Sequence, residues 1–348
     1  MRLAIVIVTY NGMKWIERTL DSCFKCAVGV PVYVVDNNST DGSVDFITQK
    51  YPSIKLFKQV KNLGFAGGNN VGLKAALASG AEAVFLLNQD AELHLGTLDE
   101  LARYLNLYPK VGAVQPAIIL PDGKVNSLGN SFHYLGLAEA WGLGLALPEA
   151  IARLPWLKES EPPYISGAAV LLRSSTLNQV GLFNDELFMY HEDLELSFRM
   201  RFYGWRLAVE PAGYVTHYYE PSRSLKQFYY MERNRFIVWL LYFKWPTLAL
   251  LFVPWLASEL MLLLTSMVGG WFGVKFKSYV YFLHFNTWHY LFKRRRELQI
   301  VRQLTDRELL SFAGSKIEFH SEGGSVTKYI FNPLSTLVWR IIYPLIRW

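Results

Sequence analysis

Only two cysteines occur in the 348 residues, Cys23 and Cys26. Two thiols make no disulfide framework, so the composition fits a reducing cytosol. A lone Cys-x-x-Cys without a second pair also falls short of a zinc site, so both are read as small core residues of a helix over 14–26. No Gly-Lys-Ser/Thr follows the glycines of the chain, which excludes a Walker A loop, and the first apolar run leads into Thr-Tyr-Asn rather than Gly-x-Gly-x-x-Gly. Residues 1–10 are a short apolar run ending in a polar turn. They lack the basic start, the length and the cleavage site of a signal peptide, so the N-terminal domain is expected to stay in the cytoplasm. Basic residues interleaved with polar ones, the pattern that suits nucleic acid, are missing as well.

What is present is unevenly placed. The net charge is +6, with −3 on residues 1–219 and +9 on residues 220–348. Aromatic residues make up 15% of the chain and crowd towards the C-terminal third. A basic, aromatic, apolar tail on a near-neutral body suits an anionic membrane surface. The length allows one large domain or two smaller ones. The expected division is an α/β domain over 1–220 and a helical membrane-associating region over 221–348.

Residues 3–8, 30–35 and 83–87 are continuous apolar runs rich in β-branched side chains, the pattern of strands buried on both faces. Between them, 14–26, 41–50 and 66–79 carry helical periodicity. Strand alternating with helix predicts an α/β fold with a mostly parallel central sheet and flanking helices. Each strand ends in a polar cluster: Thr9-Tyr10-Asn11-Gly12, then Asp36-Asn37-Asn38-Ser39-Thr40-Asp41, then Asn88-Gln89-Asp90. In open parallel sheets ligands bind beyond the carboxyl ends of the strands, so three such clusters can converge on one crevice. Helix capping accounts for Ser39, Thr40 or Asp41, but not for Asp36 and Asp90 together. Gly64, Gly67, Gly68 and Gly72 precede or open a helix, where glycine lets backbone N–H groups approach phosphate or ribose. Residues 120–163 read as a long irregular loop, 166–173 as a strand, 191–203 as a helix and 205–209 as a strand leading towards His217.

These motifs, in this order, resemble family 2 glycosyltransferases. The likeness is carried by Thr9-Tyr10-Asn11, Val35–Ser43, Asn62–Gly72, Leu87-Asn88-Gln89-Asp90, Ser166-Gly167-Ala168 and His191-Glu192-Asp193-Leu194-Glu195, and more loosely by Tyr230-Met-Glu-Arg-Asn-Arg235 and 303–309. The bacterial rhamnosyltransferase-like branch is the nearest in pattern. The resemblance implies a GT-A fold, a nucleoside-diphosphate-sugar donor such as dTDP-rhamnose or a UDP-sugar, a divalent cation (Mg²⁺ or Mn²⁺), and inversion at the anomeric carbon. It also implies a hydroxyl acceptor that is a lipid-linked saccharide of cell-surface polysaccharide assembly. By the same resemblance Thr9, Tyr10, Asn11, Asp36, Asn38, Asn62, Gly67 and Asn88 contact the nucleotide. Asp90 matches the last residue of the metal-binding Asp-x-Asp, and Asp193 matches the general base. His217 falls where some members place a further metal ligand; the alternative is a histidine packed among Tyr214, Tyr218 and Tyr219. The Asp-x-Asp position reads Asn88-Gln89-Asp90, one carboxylate being replaced by an amide, and Glu92 is the nearest acid that could replace it.

The residue types fit the chemistry. A hard divalent ion takes oxygen ligands, and Asp90 supplies one. A carboxylate must accept the proton of the attacking hydroxyl; Asp193 opens a helix, whose positive dipole end is expected to keep it ionised. The other reading of Glu192 and Asp193 is plain charge balancing of that helix end. Glu195 is expected to pair with Arg199 one turn on. Two competing functions remain: a nucleotidyltransferase, which needs a basic glycine-rich phosphate loop after the first strand, and a membrane-anchored scaffold with a degenerate, inactive transferase domain.

Residues 245–271 are strongly apolar and just long enough to cross a bilayer. Basic residues on both sides and Glu259 in the middle argue against one simple crossing. A monotopic or re-entrant seat on the cytoplasmic face of the inner membrane is expected instead, with 334–348 as a second interfacial helix.

Overall fold

The computed structural model describes residues 1–154, 161–220, 225–318 and 324–348. Among the described residues twelve strands are present: β1 (Leu3–Thr9), β2 (Val32–Asp36), β3 (Lys55–Lys58), β4 (Ala83–Leu87), β5 (Ala91–Leu93), β6 (Val111–Ile119), β7 (Val125–Ser127), β8 (Asn130–His133), β9 (Ala138–Ala140), β10 (Ala169–Arg173), β11 (Arg206–His217) and β12 (Ala313–Gly314). The helices of the first two-thirds are α1 (Ile16–Cys26), α2 (Ser43–Lys50), α3 (Gly64–Ala78), α4 (Thr97–Leu107), α5 (Leu147–Arg153), α6 (Ser174–Val180) and α7 (Glu192–Phe202). Then come α8 (Leu225–Tyr242), α9 (Trp245–Val268), α10 (Phe272–Val280), α11 (Phe285–Val301), α12 (Asp306–Leu310), α13 (Gly324–Val326) and α14 (Asn332–Ile342).

The main sheet has the order β3-β2-β1-β4-β10-β6-β11-β5, with β7 beside β6. β3, β2, β1 and β4 are parallel neighbours, as the alternation of strand and helix predicts. The rest is mixed: β10 runs antiparallel to both β4 and β6, β6 is parallel to β11, and β5 is antiparallel to β11. The mostly parallel sheet expected from sequence is therefore corrected to a mixed one. The reason is local. No crossover helix feeds β10; the chain arrives from the 120–168 excursion and enters the sheet from the other end. Six long-sheet strands thus share one direction, and the reversed strands β5 and β10 begin at the end where those six finish.

That geometry places Asp90, just before β5, and Gly167, just before β10, beside the C-terminal ends of β1, β2 and β4. The stretch 120–163, read from sequence as an irregular loop, holds β7, β8, β9 and α5, while its residues 155–160 lie outside the described residues. β8 and β9 form a second small sheet with β12, a strand from the C-terminal third.

The sheet is covered on both faces. Ile5, Val34 and Phe85 pack with Ile16 and Leu20 of α1 and Leu101 and Leu105 of α4. On the other face Val6, Leu86 and Leu172 pack with Leu73 of α3 and Leu196 and Met200 of α7. The glycines of α3 make that approach possible: a side chain at Gly68 would run into Val8 and Asn37, and one at Gly72 into Val6.

α7 is buried all round. Leu196 and Met200 face the sheet, while Leu194, Phe198 and Phe202 join a core with Ile237, Leu241 and Tyr242 of α8. The expected charge pair within it is present: Arg199 Nη2 donates to Glu195 Oε2 at 2.7 Å, and Tyr242 Oη donates to the other carboxylate oxygen at 2.8 Å. α8 is in turn packed by α10 and α11.

α9 is long and apolar enough to cross a membrane by length and composition. Its Glu259 is buried nonetheless and ion-paired with Arg235 of α8 and with Lys275 of α10, the latter at 2.8 Å.

Candidate active site

The turns after β1 and β2 interlock. Asn11 (φ 48°) and Asn38 (φ 67°) both adopt left-handed backbone, which asparagine tolerates better than most residues. Asn11 N–H donates to Ser39 Oγ at 2.9 Å, and Asn11 Oδ1 accepts Thr40 N–H at 2.9 Å. Asp36 is 3% exposed and accepts the N–H groups of Asn38 and Ser39 at 3.1 and 3.2 Å. Tyr10 stands out to solvent beside them. Asn62 Oδ1 accepts Gly64 N–H at 2.8 Å, and Asn37 Nδ2 donates to Gly64 O at 2.8 Å, so the turn before α3 is tied to β2. Gly67 lies in the first turns of α3, with Leu63 and Asp185 as its nearest side chains.

The turn after β4 locks onto the first. Gln89 Oε1 accepts both Thr9 Oγ1–H at 2.8 Å and Tyr10 N–H at 2.9 Å. Asn88 N–H donates to Ala168 O at 2.9 Å. Gly167 N–H donates to Asp193 Oδ2 at 3.2 Å, and Leu194 N–H donates to Asp193 Oδ1 at 2.8 Å. An unbroken series of direct contacts therefore runs from the Asp36 turn through Thr9, Gln89, Asn88 and Gly167 to Asp193.

His217 ends β11, whose pairing with β5 sets it opposite Ala91. Its Nδ1 lies 2.9 Å from Asn126 Oδ1, its Nε2 3.2 Å from Asp90 Oδ1, and Asn88 Nδ2 is 3.5 Å from that same nitrogen. Of the two sequence alternatives, the ring meets Tyr219 at 5.6 Å between centroids, yet both its nitrogens are directed at polar groups. Glu92 points elsewhere, accepting from Tyr218 Oη at 2.7 Å.

The acidic pair at the start of α7 is perturbed. Burial pushes Asp193 up to about 6, against the opposing pull of its N–H donors. The helix dipole does not keep it in the ordinary carboxylate range, because desolvation outweighs it. Glu192 is pushed well above the usual range, by burial first and by the neighbouring Asp193 charge second, and its Oε2 is buried without a partner.

The sequence profile described as glycosyl transferase family 2 matches residues 4–176. The N-acetylglucosaminyl-diphospho-decaprenol L-rhamnosyltransferase of Mycobacterium tuberculosis is 32% identical over 236 residues, covering 62% of this chain and 76% of that protein. The chain belongs to glycosyl transferase family 2. Within that family it sides with the rhamnosyltransferase-like branch. The low-salt glycan biosynthesis hexosyltransferase Agl10 of Haloferax volcanii is 26% identical over 57% of this chain and 61% of its own length. Among solved structures, GalNAc-T7 with UDP, GalNAc and Mn²⁺ superposes at a TM-score of 0.56 with 17% identity, covering 69% of this chain and 48% of that one. The mannosyltransferase PcManGT of Pyrobaculum calidifontis, in complex with GDP-Man and Mn²⁺, superposes at 0.51 with 16% identity over 99% of this chain and 86% of that one. Both show the GT-A fold.

Whether this glycosyltransferase can hold a cation is testable on its own geometry. His217 Nδ1 faces Asn126 Oδ1, and its Nε2 faces Asp90 Oδ1 at 3.2 Å, a separation that a proton or a cation can bridge. Neighbouring ligands of an octahedral ion at ~2.1 Å stand about 3 Å apart, so the pair fits two sites of one shell. An imidazole in the set favours Mn²⁺ over Mg²⁺.

Two partners escaped the sequence reading. Asn126 sits in the stretch taken for a loop, and nothing in its surroundings there marks it. Gln89 lay inside a quoted motif, but its role as the bracket between two turns depends on how β1 and β4 pair.

Proposed function

We propose that this glycosyltransferase moves a sugar from a nucleoside-diphosphate-sugar, dTDP-rhamnose or a UDP-sugar, to a hydroxyl of a lipid-linked saccharide, with inversion at the anomeric carbon. The observation that carries the reading is the meeting of Asp90 with His217 and, along the same end of the sheet, of Gly167 with Asp193. Residues 1–220 serve as the catalytic body and 221–348 as the part that seats it on the cytoplasmic face of the inner membrane, without crossing it. The lipid-linked acceptor is supported by the name of the mycobacterial relative and by the exposed apolar side chains of α9, α10 and α14.

In this mechanism the turns at Thr9–Asn11, Asp36–Asn38 and Asn62–Gly67 hold the nucleotide, with Asn88 beside its diphosphate. Asp90 and His217 would hold the Mn²⁺ or Mg²⁺ ion. When bound, that ion neutralises charge on the departing diphosphate. Asp193 takes the proton of the acceptor hydroxyl as its oxygen bonds to the anomeric carbon. The carbon–oxygen bond to the diphosphate breaks with the electron pair leaving on the nucleoside diphosphate. Direct displacement of this kind inverts the centre. Proton transfer to a positioned base contributes about 10²–10⁴-fold.

The inactive-scaffold alternative rested on Asn88 replacing a carboxylate, and His217 beside Asp90 supports the active reading over it. The test is donor-dependent release of nucleoside diphosphate in the presence of a polyprenyl-diphosphate saccharide. Asp193→Asn should lose about 10²–10⁴-fold in turnover while still binding nucleotide. Turnover at the wild-type rate would remove Asp193 as the base.

A further inference from the structure

The turn that delivers Asp193 is held in an unfavourable shape. Phe188, Tyr190 and His191 all have positive φ, at 61°, 65° and 65°, and none is glycine or asparagine. Positive-φ backbone at such residues is unfavourable and persists only where the surroundings enforce it. On one side α3 does so: Phe188 O accepts Ala66 N–H at 3.0 Å, and Gly64 lacks the side chain that would strike Phe188.

On the other side one amide does most of the holding. Asn234 of α8 is fully buried, and its Nδ2 lies 2.7, 2.9 and 2.7 Å from the carbonyl oxygens of Leu187, Met189 and Tyr190. Left-handed residues rotate successive peptide planes so that these carbonyls converge on one donor. The Asn234 Oδ1 accepts Arg233 Nε–H at 2.9 Å, and Arg233 Nη2 donates to Glu186 O at 2.6 Å. α8 itself is anchored by other groups: Arg235 pairs with Glu259 of α9, and Glu232 pairs with Lys275 of α10. The amide of Asn234 is thus spent on the turn and not on seating its own helix.

We propose that Asn234 is a positioning residue for catalysis: by gathering the carbonyls of 187–190 it sets the point at which α7 starts, and so the placement of Asp193 against the acceptor hydroxyl. The proposal rests on the reading of Asp193 as the base. It makes α8, which lies beyond the residues matched by the family profile, part of the catalytic apparatus rather than of the membrane seat alone. Asparagine is the fitting residue because it offers two N–H donors and one acceptor on a short, rigid stem. Misplacing a reacting group by about 1 Å can cost about 10²-fold.

The experiment compares Asn234→Ala, Asp193→Asn and the double variant in the full-length chain. It reads the nucleotide-induced rise in Tm, donor KM, kcat, and the pH profile of kcat. For Asn234→Ala the expected result is a normal nucleotide-induced Tm rise, donor KM within about threefold, kcat lower by about 10–10²-fold, and an acid limb displaced from that of wild type. The double variant should be no slower than Asp193→Asn alone, because two groups acting through one step do not add. Asn234→Ser, which keeps one donor, should recover part of kcat. The proposal fails if Asn234→Ala keeps wild-type kcat, if the two losses multiply, or if nucleotide binding falls in step with kcat. Failure of both the Ala and Ser variants to fold would also overturn it, by making the residue structural. Wild-type turnover in Asp193→Asn would instead bring down the base assignment, whatever Asn234→Ala does.

Discussion

His217 Nε2 faces Asp90 Oδ1 across 3.2 Å while Asn126 fixes the opposite ring nitrogen at 2.9 Å. Under the proposed function the pair would hold the cation, with Asn126 setting the orientation of the histidine. Groups that orient a metal-binding histidine typically contribute 10–100-fold to metal affinity or activity. Asn126→Ala should therefore raise the Mn²⁺ concentration for half-maximal nucleoside diphosphate release by about 10–100-fold, and His217→Ala by at least as much. Nucleotide binding in the absence of metal should be unchanged in both. A Mn²⁺ titration of Asn126→Ala that overlays wild type would show that the histidine is oriented by something else.

The environment of Asp193 predicts a pH dependence of defined sign. Burial raises its carboxyl to about 6, so kcat/KM should fall tenfold per pH unit below about 6 and level off above 7. Stability moves the other way. The unfolded chain releases this proton near pH 3.9 and the native chain near 6, so between them the native state binds more protons and loses stability as pH rises. The penalty is absent below the lower value and complete above the upper one. Asp193→Asn should then be more stable than wild type at pH 8 by on the order of 1–2 kcal/mol, a figure reduced because the side chain reaches solvent in part, and equal to wild type near pH 4. Urea denaturation at the two pH values measures it.

The parts of the site legible in the sequence were those fixed locally. Apolar runs ending in Thr9, Asp36 and Leu87 revealed three parallel strands and the end at which they open, and the boundaries of β1, β4 and α7 fall within two residues of the periodicity. What the sequence concealed depends on pairing across the chain. β6 sets Gln115 and Pro116 among its apolar residues, and its neighbour β10 is reversed by the way the chain returns to the sheet. Asn126 reaches His217 only because β7 folds back on β6. Burial of α7 on two faces, the cause of the raised Asp193 and Glu192 carboxyls, comes from α8 some forty residues on.

Glu259 lies in the middle of an apolar helix and owes its place to charge pairing. It meets Arg235 and Lys275, and Tyr279 Oη donates to it at 2.7 Å. Removing one member of a buried ion pair leaves the partner charge uncompensated, at a cost of about 3–5 kcal/mol. Glu259→Ala should lower stability by about that amount, while replacing Glu259 and Lys275 together by methionine should recover much of it, since Arg235 retains Glu232. Denaturation curves of the two variants decide the matter; equal losses would mean that packing rather than charge holds α9 to α8.

The proposed surface seat on the membrane predicts how the protein partitions. Phe252, Leu260 and Leu264 of α9, Phe276 of α10 and Leu337 and Ile341 of α14 are all exposed, as are the basic residues Lys277, Lys293 and Arg296 that border them. Apolar side chains set into the headgroup region give a salt-resistant contribution, and basic residues near an anionic surface add about 1 kcal/mol each. The full-length chain should float with vesicles containing anionic lipid and less well with purely zwitterionic ones. Raising the salt should weaken binding without abolishing it, because only the charge contribution is screened. Reversing Lys277, Lys293 and Arg296 to glutamate should weaken partitioning by about 10²-fold or more, the equivalent of three such contributions. Under the proposed surface seat, alkaline carbonate should strip the protein from the vesicles. Retention after that wash would mean that α9 crosses, and indifference to anionic lipid would mean that the basic border has another partner.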